Sequence, residues 1–296
     1  FLVGLGIYWS AEPGFIESDE PVITVPPGEV TVTALIDVID VLLHKPGGYL
    51  SNDVLPPTIW LDNIPSWEFG VLVQVRDLSK ALRESFSRSQ SQSSEDRDLA
   101  LAEPRFNVDH TSWAVPWPES EYADGQAFLA AYAARLGAGE GQDGEFFARA
   151  DNLRYWLTTV ETRLGSLSQR LSASVGQRRL DGLPSVAKNT PKQRERNIKT
   201  PWFEVDNVFY EARGTTWALL HFLRAVERDF ADVLEKKNAT TSLQQIIREL
   251  EMSQQAVKAP MIVNGQGFGL FANHSLVMAS YISRANAALI DQRELL

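Results

Sequence analysis

Apolar side chains return every three or four residues along two long stretches in the second half of the chain. Phe146, Ala150, Leu153, Leu157, Val160, Leu164, Leu167 and Leu171 make the first stripe, flanked by Arg154, Glu161, Arg163 and Arg170. Val205, Phe209, Ala212, Thr216, Leu219, Leu223, Val226, Phe230 and Val233 make the second. A repeat averaging about 3.5 residues is the spacing of a helix face packed on other helices, and a strand's period of two cannot produce it. The second stripe is widened by Val208, Leu220, Phe222 and Leu234, and so greasy a helix belongs near the centre of a bundle. At about 1.5 Å per residue, each rod is expected to run roughly 40 to 50 Å and to pair with the other rod or with neighbouring helices. The expected fold is all-α: a multi-helix bundle with two long central helices, long irregular loops and at most minor β-structure.

Shorter segments fit the same plan. Thr31 to His44 is a continuous apolar run whose length favours helix over buried strand, and Lys45-Pro-Gly-Gly48 stops it. Ser66 is the expected cap of a helix with Leu72, Val75, Leu78, Leu82 and Phe86 inward. A short helix is expected around Asp96 to Ala102, followed by an aromatic loop from Pro104 to Pro118 with room for one short strand, then an alanine-rich helix from Glu119 to Leu136. A Ser242–Gln245 capping box opens a helix with Leu243, Ile246, Ile247 and Leu250 inward, and Asn273 to Ser275 caps the last helix.

The hydrophobic share of 44% and charged share of 22% are globular values, and no internal repeat or domain boundary interrupts the chain. A net charge of −10 opposes nucleic-acid binding, which needs a cationic face. There is no cysteine, so disulfides, thiolate metal sites and thiol nucleophiles are excluded together.

Residues Phe1 to Trp9 are apolar and close on Tyr8-Trp9, as a span does where it meets the aromatic belt of a membrane interface. The first Lys or Arg is Lys45, and a flank without positive charge reads as translocated. Residues 1–10 are therefore expected to be the C-terminal end of a truncated membrane anchor, 11–30 an extended linker rich in proline and acid, and 31–296 a single helical soluble domain.

Signals for chemistry are weak. Asn264 to Phe271 is rich in glycine but lacks the spacing of a phosphate loop. His44, His110, His221 and His274 show no metal-ligand spacing, and His221 reads as a hydrogen-bonded core histidine. The carboxylate pairs Asp206/Glu211 and Asp53/Asp62 have the chemistry of sugar cleavage but no distance to support it. Seven basic residues between Arg178 and Lys199 face twelve acidic ones between Gln92 and Asp151, most simply as solvated faces of one fold. The best candidate surface is a set of aromatic loops: Tyr49, Trp60, Trp67, Trp113 and Trp117 among Asn52, Asp53, Asp62 and Asn63. Indoles beside carboxylates and amides bind sugars or peptides, although tryptophans in long loops more often plug those loops onto a core. No catalytic residue, metal or cofactor is assigned.

Longer strings carry a resemblance. Lys45-Pro-Gly-Gly-Tyr-Leu-Ser-Asn-Asp53, Ser87-Arg-Ser-Gln-Ser-Gln-Ser93, Arg163-Leu-Gly-Ser-Leu-Ser-Gln-Arg-Leu-Ser-Ala173, Phe209-Tyr-Glu-Ala-Arg-Gly214 and the run from Ala272 to Ala287 resemble an uncharacterised Gram-negative family, domain of unknown function 2333. The resemblance spans nearly the whole chain. It implies a bacterial inner-membrane protein with one N-terminal span and its soluble remainder in the periplasm, and it transfers no catalytic residue. The expected role is that of a membrane-tethered binding or scaffold protein, with the bilayer and other envelope proteins as partners. The alternatives are a hydrolase of cell-wall glycan or peptide, using carboxylates near the aromatic loops, and a carrier of lipid or a small ligand.

Overall fold

The computed structural model describes residues 1–16, 25–89, 94–137, 144–175, 177–180, 195–198, 200–257, 262–265 and 272–296. Their helices are α1 (Leu2–Trp9), α2 (Glu29–His44), α3 (Asn63–Ala81), α4 (Arg97–Phe106), α5 (Pro118–Gly137), α6 (Ala150–Ser172), α7 (Val205–Asp229), α8 (Ala231–Lys236), α9 (Thr240–Ser253) and α10 (His274–Leu295). A single π-turn, Leu82–Phe86, extends α3. Two short antiparallel strands, β1 (Gln177–Leu180) and β2 (Glu195–Ile198), form a ribbon beside an otherwise all-α bundle. Most of the basic block (181–194 and 199) and of the glycine-rich loop (266–271) lies outside the described residues.

The first stripe lies on α6, and Leu153, Leu157, Val160, Leu164, Leu167 and Leu171 are all buried. Each fully buried side chain of this kind contributes about 1.5–3 kcal/mol. The second stripe lies on α7, where every residue from Ala212 to Leu223 is buried. Such burial all round requires neighbours on several sides, and α7 is packed by α2, α3 and α9, with α3 the most extensive. The two rods are not each other's main partners: α6 pairs chiefly with α10.

The rods are also shorter than the pattern implies, about 35 Å each at 1.5 Å per residue. Phe146 precedes α6 and lies outside any helix. The second stripe breaks at Phe230, whose ring packs 5.3 Å from Phe86 and 5.7 Å from Phe146, so α8 starts as a separate turn. One residue earlier, the Asp229 carboxylate accepts from the amide (2.7 Å) and hydroxyl (2.6 Å) of Thr31 and caps α2 from across the bundle. The end of α7 is thus diverted to tertiary tasks that a periodic pattern does not record.

Helix starts differ from expectation in two places. Ser66 lies inside α3, its hydroxyl bonded back to the Asp62 carbonyl at 2.8 Å. Ser242 lies inside α9 and donates to the Ala288 carbonyl at 3.4 Å instead of closing a capping box. By contrast, Asp96 caps α4 and Asn273 caps α10 through their side-chain oxygens. Pro104 falls within α4, and the loop of residues 107–117 forms no strand.

The α3–α7 crossing is the tightest joint. A Cβ placed on Gly214 would meet the carbonyl carbon of Trp67 at 2.8 Å and its oxygen closer still; one on Gly70 would meet the amide of Thr215 at 2.7 Å and the carbonyl of Glu211 closer still. Only glycine on both helices lets the two backbones touch, and the Trp67 and Trp217 rings pack beside the joint, tilted, with centroids 5.1 Å apart.

Residues 11–16 do not hang free. The Glu12 carboxylate pairs with Arg213 of α7 at 2.7 Å, and Arg213 also donates to the carbonyls of Ser253 (3.1 Å) and Gln255 (3.0 Å). The Trp217 indole donates to the Gly14 carbonyl at 3.1 Å, and Phe15 meets the His221 ring edge-on at 6.0 Å. No helix among the described residues is long and apolar enough to cross a membrane.

Candidate functional site

The loop after α2 is held by a buried charge pair. Lys45 and Glu68 are fully enclosed and bonded to each other, and Glu68 also accepts from the amides of Leu50 (2.9 Å) and Ser51 (2.8 Å). A buried pair is tolerable only with its remaining valences met, which these amides do. Burial alone pushes the Glu68 carboxyl up; Lys45 and the donors oppose that shift. The turn also needs Gly47, whose φ of +90° and contact with the Trp9 ring exclude a side chain.

The loop between α4 and α5 is pinned at its start by Arg76, which donates to the carbonyls of Phe106 (2.6 Å) and Val108 (2.9 Å). Asn52 then ties the two loops together. Its amide donates to the Ser112 carbonyl at 3.2 Å and to the Glu119 carboxylate at 3.0 Å.

Between the loops and the end of α1 lies an open cleft of about 450 Å³, lined by Trp9, Asn52, Asp53, Trp113, Trp117 and Glu119 together with the Val54–Thr58 turn. Thr58 lines it too, but its hydroxyl is spent on the Leu55 carbonyl. Partial burial pushes the Asp53 carboxyl up, and the neighbouring Glu119 adds to the shift.

The residues expected from the loops divide three ways. Asn52, Asp53, Trp113 and Trp117 converge on the cleft. Tyr49 and Trp67 are core plugs: Tyr49 is buried against Tyr122 with its hydroxyl on the His110 carbonyl at 3.1 Å, and Trp67 is wholly buried at the α3–α7 joint. Trp60, Asp62 and Asn63 lie outside the cleft lining; Trp60 is 62% exposed on a short 3₁₀ turn. The carboxylates pair differently from the sequence proposal. Asp53 has Glu119 as its acidic neighbour, while Asp62 faces Asp206 and, after desolvation, helps push that carboxyl up. Glu211 is taken by Arg170, with an Nη1–Oε2 distance of 2.6 Å.

Trp9 and Glu119 were not among the expected site residues. Trp9 ends the apolar run and Glu119 follows Trp117-Pro118, but nothing local says that residues 9, 52 and 119 meet.

A second open groove of about 370 Å³ includes Ser51, Phe69, His110, Glu204, Asn207 and Glu211. His110 stacks on Phe69 at 4.7 Å, and burial, then Arg76, lowers its pKa. His221 is buried between Trp217 and Phe15, and among the described residues its Nε2 has no hydrogen-bond partner, so that nitrogen does not make the bond expected of a core histidine. His44 is exposed beside Asp40, and the His274 ring meets the backbone of Val263 at 2.9 Å. Among the described residues no group of three His, Asp or Glu side chains is placed to hold a metal ion.

A family model described as an uncharacterized protein conserved in bacteria (DUF2333) matches residues 1–296. No curated protein and no solved structure matches the chain.

Proposed function

We propose that this chain, which belongs to that family of uncharacterized bacterial proteins, is a membrane-tethered binding protein of the periplasmic face of the inner membrane, with the aromatic cleft as its binding site. The observation that carries the reading is the surface around α1. Phe1, Val3, Ile7 and Tyr8 of that helix are exposed, and the two loops beside it expose Leu55, Ile59, Trp60, Trp113, Val115 and Trp117. Gly6 brings α1 close to Pro57 and Leu61, so helix and loops share one end of the molecule. Exposed indoles and aliphatics concentrated beside a charge-free helix have the composition of an interface belt. The absence of Lys and Arg before residue 45 supports the translocated side.

The test is vesicle flotation of the full chain, combined with quenching of tryptophan fluorescence by lipids brominated near the headgroup. Co-flotation in low and high salt is expected, because the contact is apolar and the protein acidic. Quenching should fall when Trp60, Trp113 and Trp117 become Phe. Protein left at the bottom of the gradient defeats the reading.

A hydrolase reading has one observation in its favour: Asp53, with its raised pKa, and Glu119 face one aromatic cleft, as the acid and its partner do in glycan cleavage. Turnover of a wall glycan or peptide that Glu119→Gln abolishes would move the protein into that class.

A further inference from the structure

The cleft's inventory of donors and acceptors narrows what it can hold. Its carboxylates, Asp53 and Glu119, have no Lys, Arg or His within salt-bridge distance among the described residues. Among the described residues Glu119 accepts only the Asn52 amide, and that amide is shared with Ser112. The Thr58 hydroxyl is committed to Leu55. Among its side chains the cleft therefore offers acceptors and indole faces, while the Asn52 amide and the Thr58 hydroxyl are already used.

An anion is repelled by two carboxylates. A polyol, which must accept as well as donate, finds among these side chains only indole N–H groups left to donate to it. A cation matches both sets of groups, because carboxylates attract it by charge and indole faces by their quadrupole. We propose that the cleft binds an organic ammonium group, primary or quaternary, seated among Trp9, Trp113 and Trp117 and held by Asp53 and Glu119. The cleft volume of about 450 Å³ lies within the range of small-molecule sites, roughly 300–1,000 Å³. This assignment rests on the cleft being the binding site of the proposed function, and it names the ligand chemistry that the tether reading leaves open.

Titration calorimetry of the full chain in a polyoxyethylene detergent, with choline and ethanolamine as probes and a chitin disaccharide and sodium chloride as controls, tests it. Saturable heat is expected with either amine. Asp53→Asn, Glu119→Gln and Trp113→Ala should each weaken it by about fivefold or more, since a cation–π or exposed charge contact of about 1 kcal/mol is a factor of five. Asp53 and Trp113 are exposed, and the carboxamide of Glu119→Gln keeps an oxygen to accept from Asn52, so these variants should retain the wild-type circular dichroism and melting temperature. Preferential retention on vesicles rich in phosphatidylethanolamine over phosphatidylglycerol, with the preference but not the flotation lost in the same variants, assigns the ammonium to a lipid headgroup. Equal retention assigns it to a free amine. No saturable heat, heat unchanged by the carboxamide variants, or tighter binding of the disaccharide overturns the proposal. Flotation would persist in Asp53→Asn, so a failed ligand leaves the tether intact, whereas a failed tether leaves calorimetry in detergent readable.

Discussion

Replacing Gly214 by Ala inserts one methyl group where α7 lies directly on α3. The new Cβ would lie 2.8 Å from the Trp67 carbonyl carbon, and backbone, unlike a side-chain tip, cannot swing aside. Restoring ordinary contact means parting the helices by about an ångström along the bundle's most extensive interface, which loosens Trp67, Trp217 and the leucines around them. Overpacking of this kind costs about 1–3 kcal/mol, and its rigid opposite wall places this site at the upper end. Alanine's better helix propensity returns about 1 kcal/mol. The net loss is about 2 kcal/mol, a fall in Tm of about 4–8 °C for a domain of this size. Gly165→Ala is the control. It makes the same change inside α6, but its Cβ would meet Asn286 at an ordinary 3.7 Å, so only the propensity gain remains and stability should rise by about 0.5–1 kcal/mol. Urea and thermal unfolding of both variants, followed by circular dichroism, provide the measurement. A Gly214→Ala protein as stable as wild type, or both variants shifting in one direction, would refute close approach as the reason for the glycine.

Glu68→Ala leaves the Lys45 ammonium buried without its counter-charge, with the Gly48 carbonyl still accepting from it, and frees the amides of Leu50 and Ser51, so about 3–5 kcal/mol should be lost in chemical denaturation, while Glu68→Met with Lys45→Met should lose distinctly less. Burial, then Arg224, lowers the His221 pKa from an ordinary 6.5 to about 4, so its contribution is fully present above pH 6.5 and is lost as pH falls towards 4. That interval corresponds to about 3 kcal/mol, and unfolding free energies at pH 7 and pH 4 should diverge less in His221→Gln than in wild type; equal divergence would remove the histidine from the account. The comparison must be made as a difference, because Asp229 and Glu68, whose carboxyls burial pushes up, act in the opposite direction on acidification.

The bundle was legible where its cause is local and repeated. The six apolar positions of α6 from Leu153 to Leu171 and the broad face of α7 are buried as their periodicity requires, because a helix places residues three and four apart on one side whatever surrounds it. What periodicity could not supply was partners. Nothing in the stripes says that α7 chooses α3, since the choice rests on Gly70 and Gly214, and a glycine inside a helix reads from sequence only as a weakness. The aromatic loops show the same limit. Trp67 and Trp113 are the same residue type in the same kind of neighbourhood, yet the first is wholly buried and the second 71% exposed. A signal existed for Trp67: it stands four residues before Val71 on the face that α3 buries. For the cleft there was no such signal, because Asn52 and Glu119 are 67 residues apart and meet only through tertiary structure.

The clamp of residues 11–16 on α7 has a mechanical consequence. Only two residues separate the end of α1 from Glu12, a reach of about 10 Å at full extension. A pull on α1 therefore takes up no slack before it loads Arg213, and through it the middle of α7 and the end of α9 that share its guanidinium. If α1 is fixed in a bilayer, the bundle stands on it as a post on a footing, with a set orientation, and does not trail from it like a float on a line.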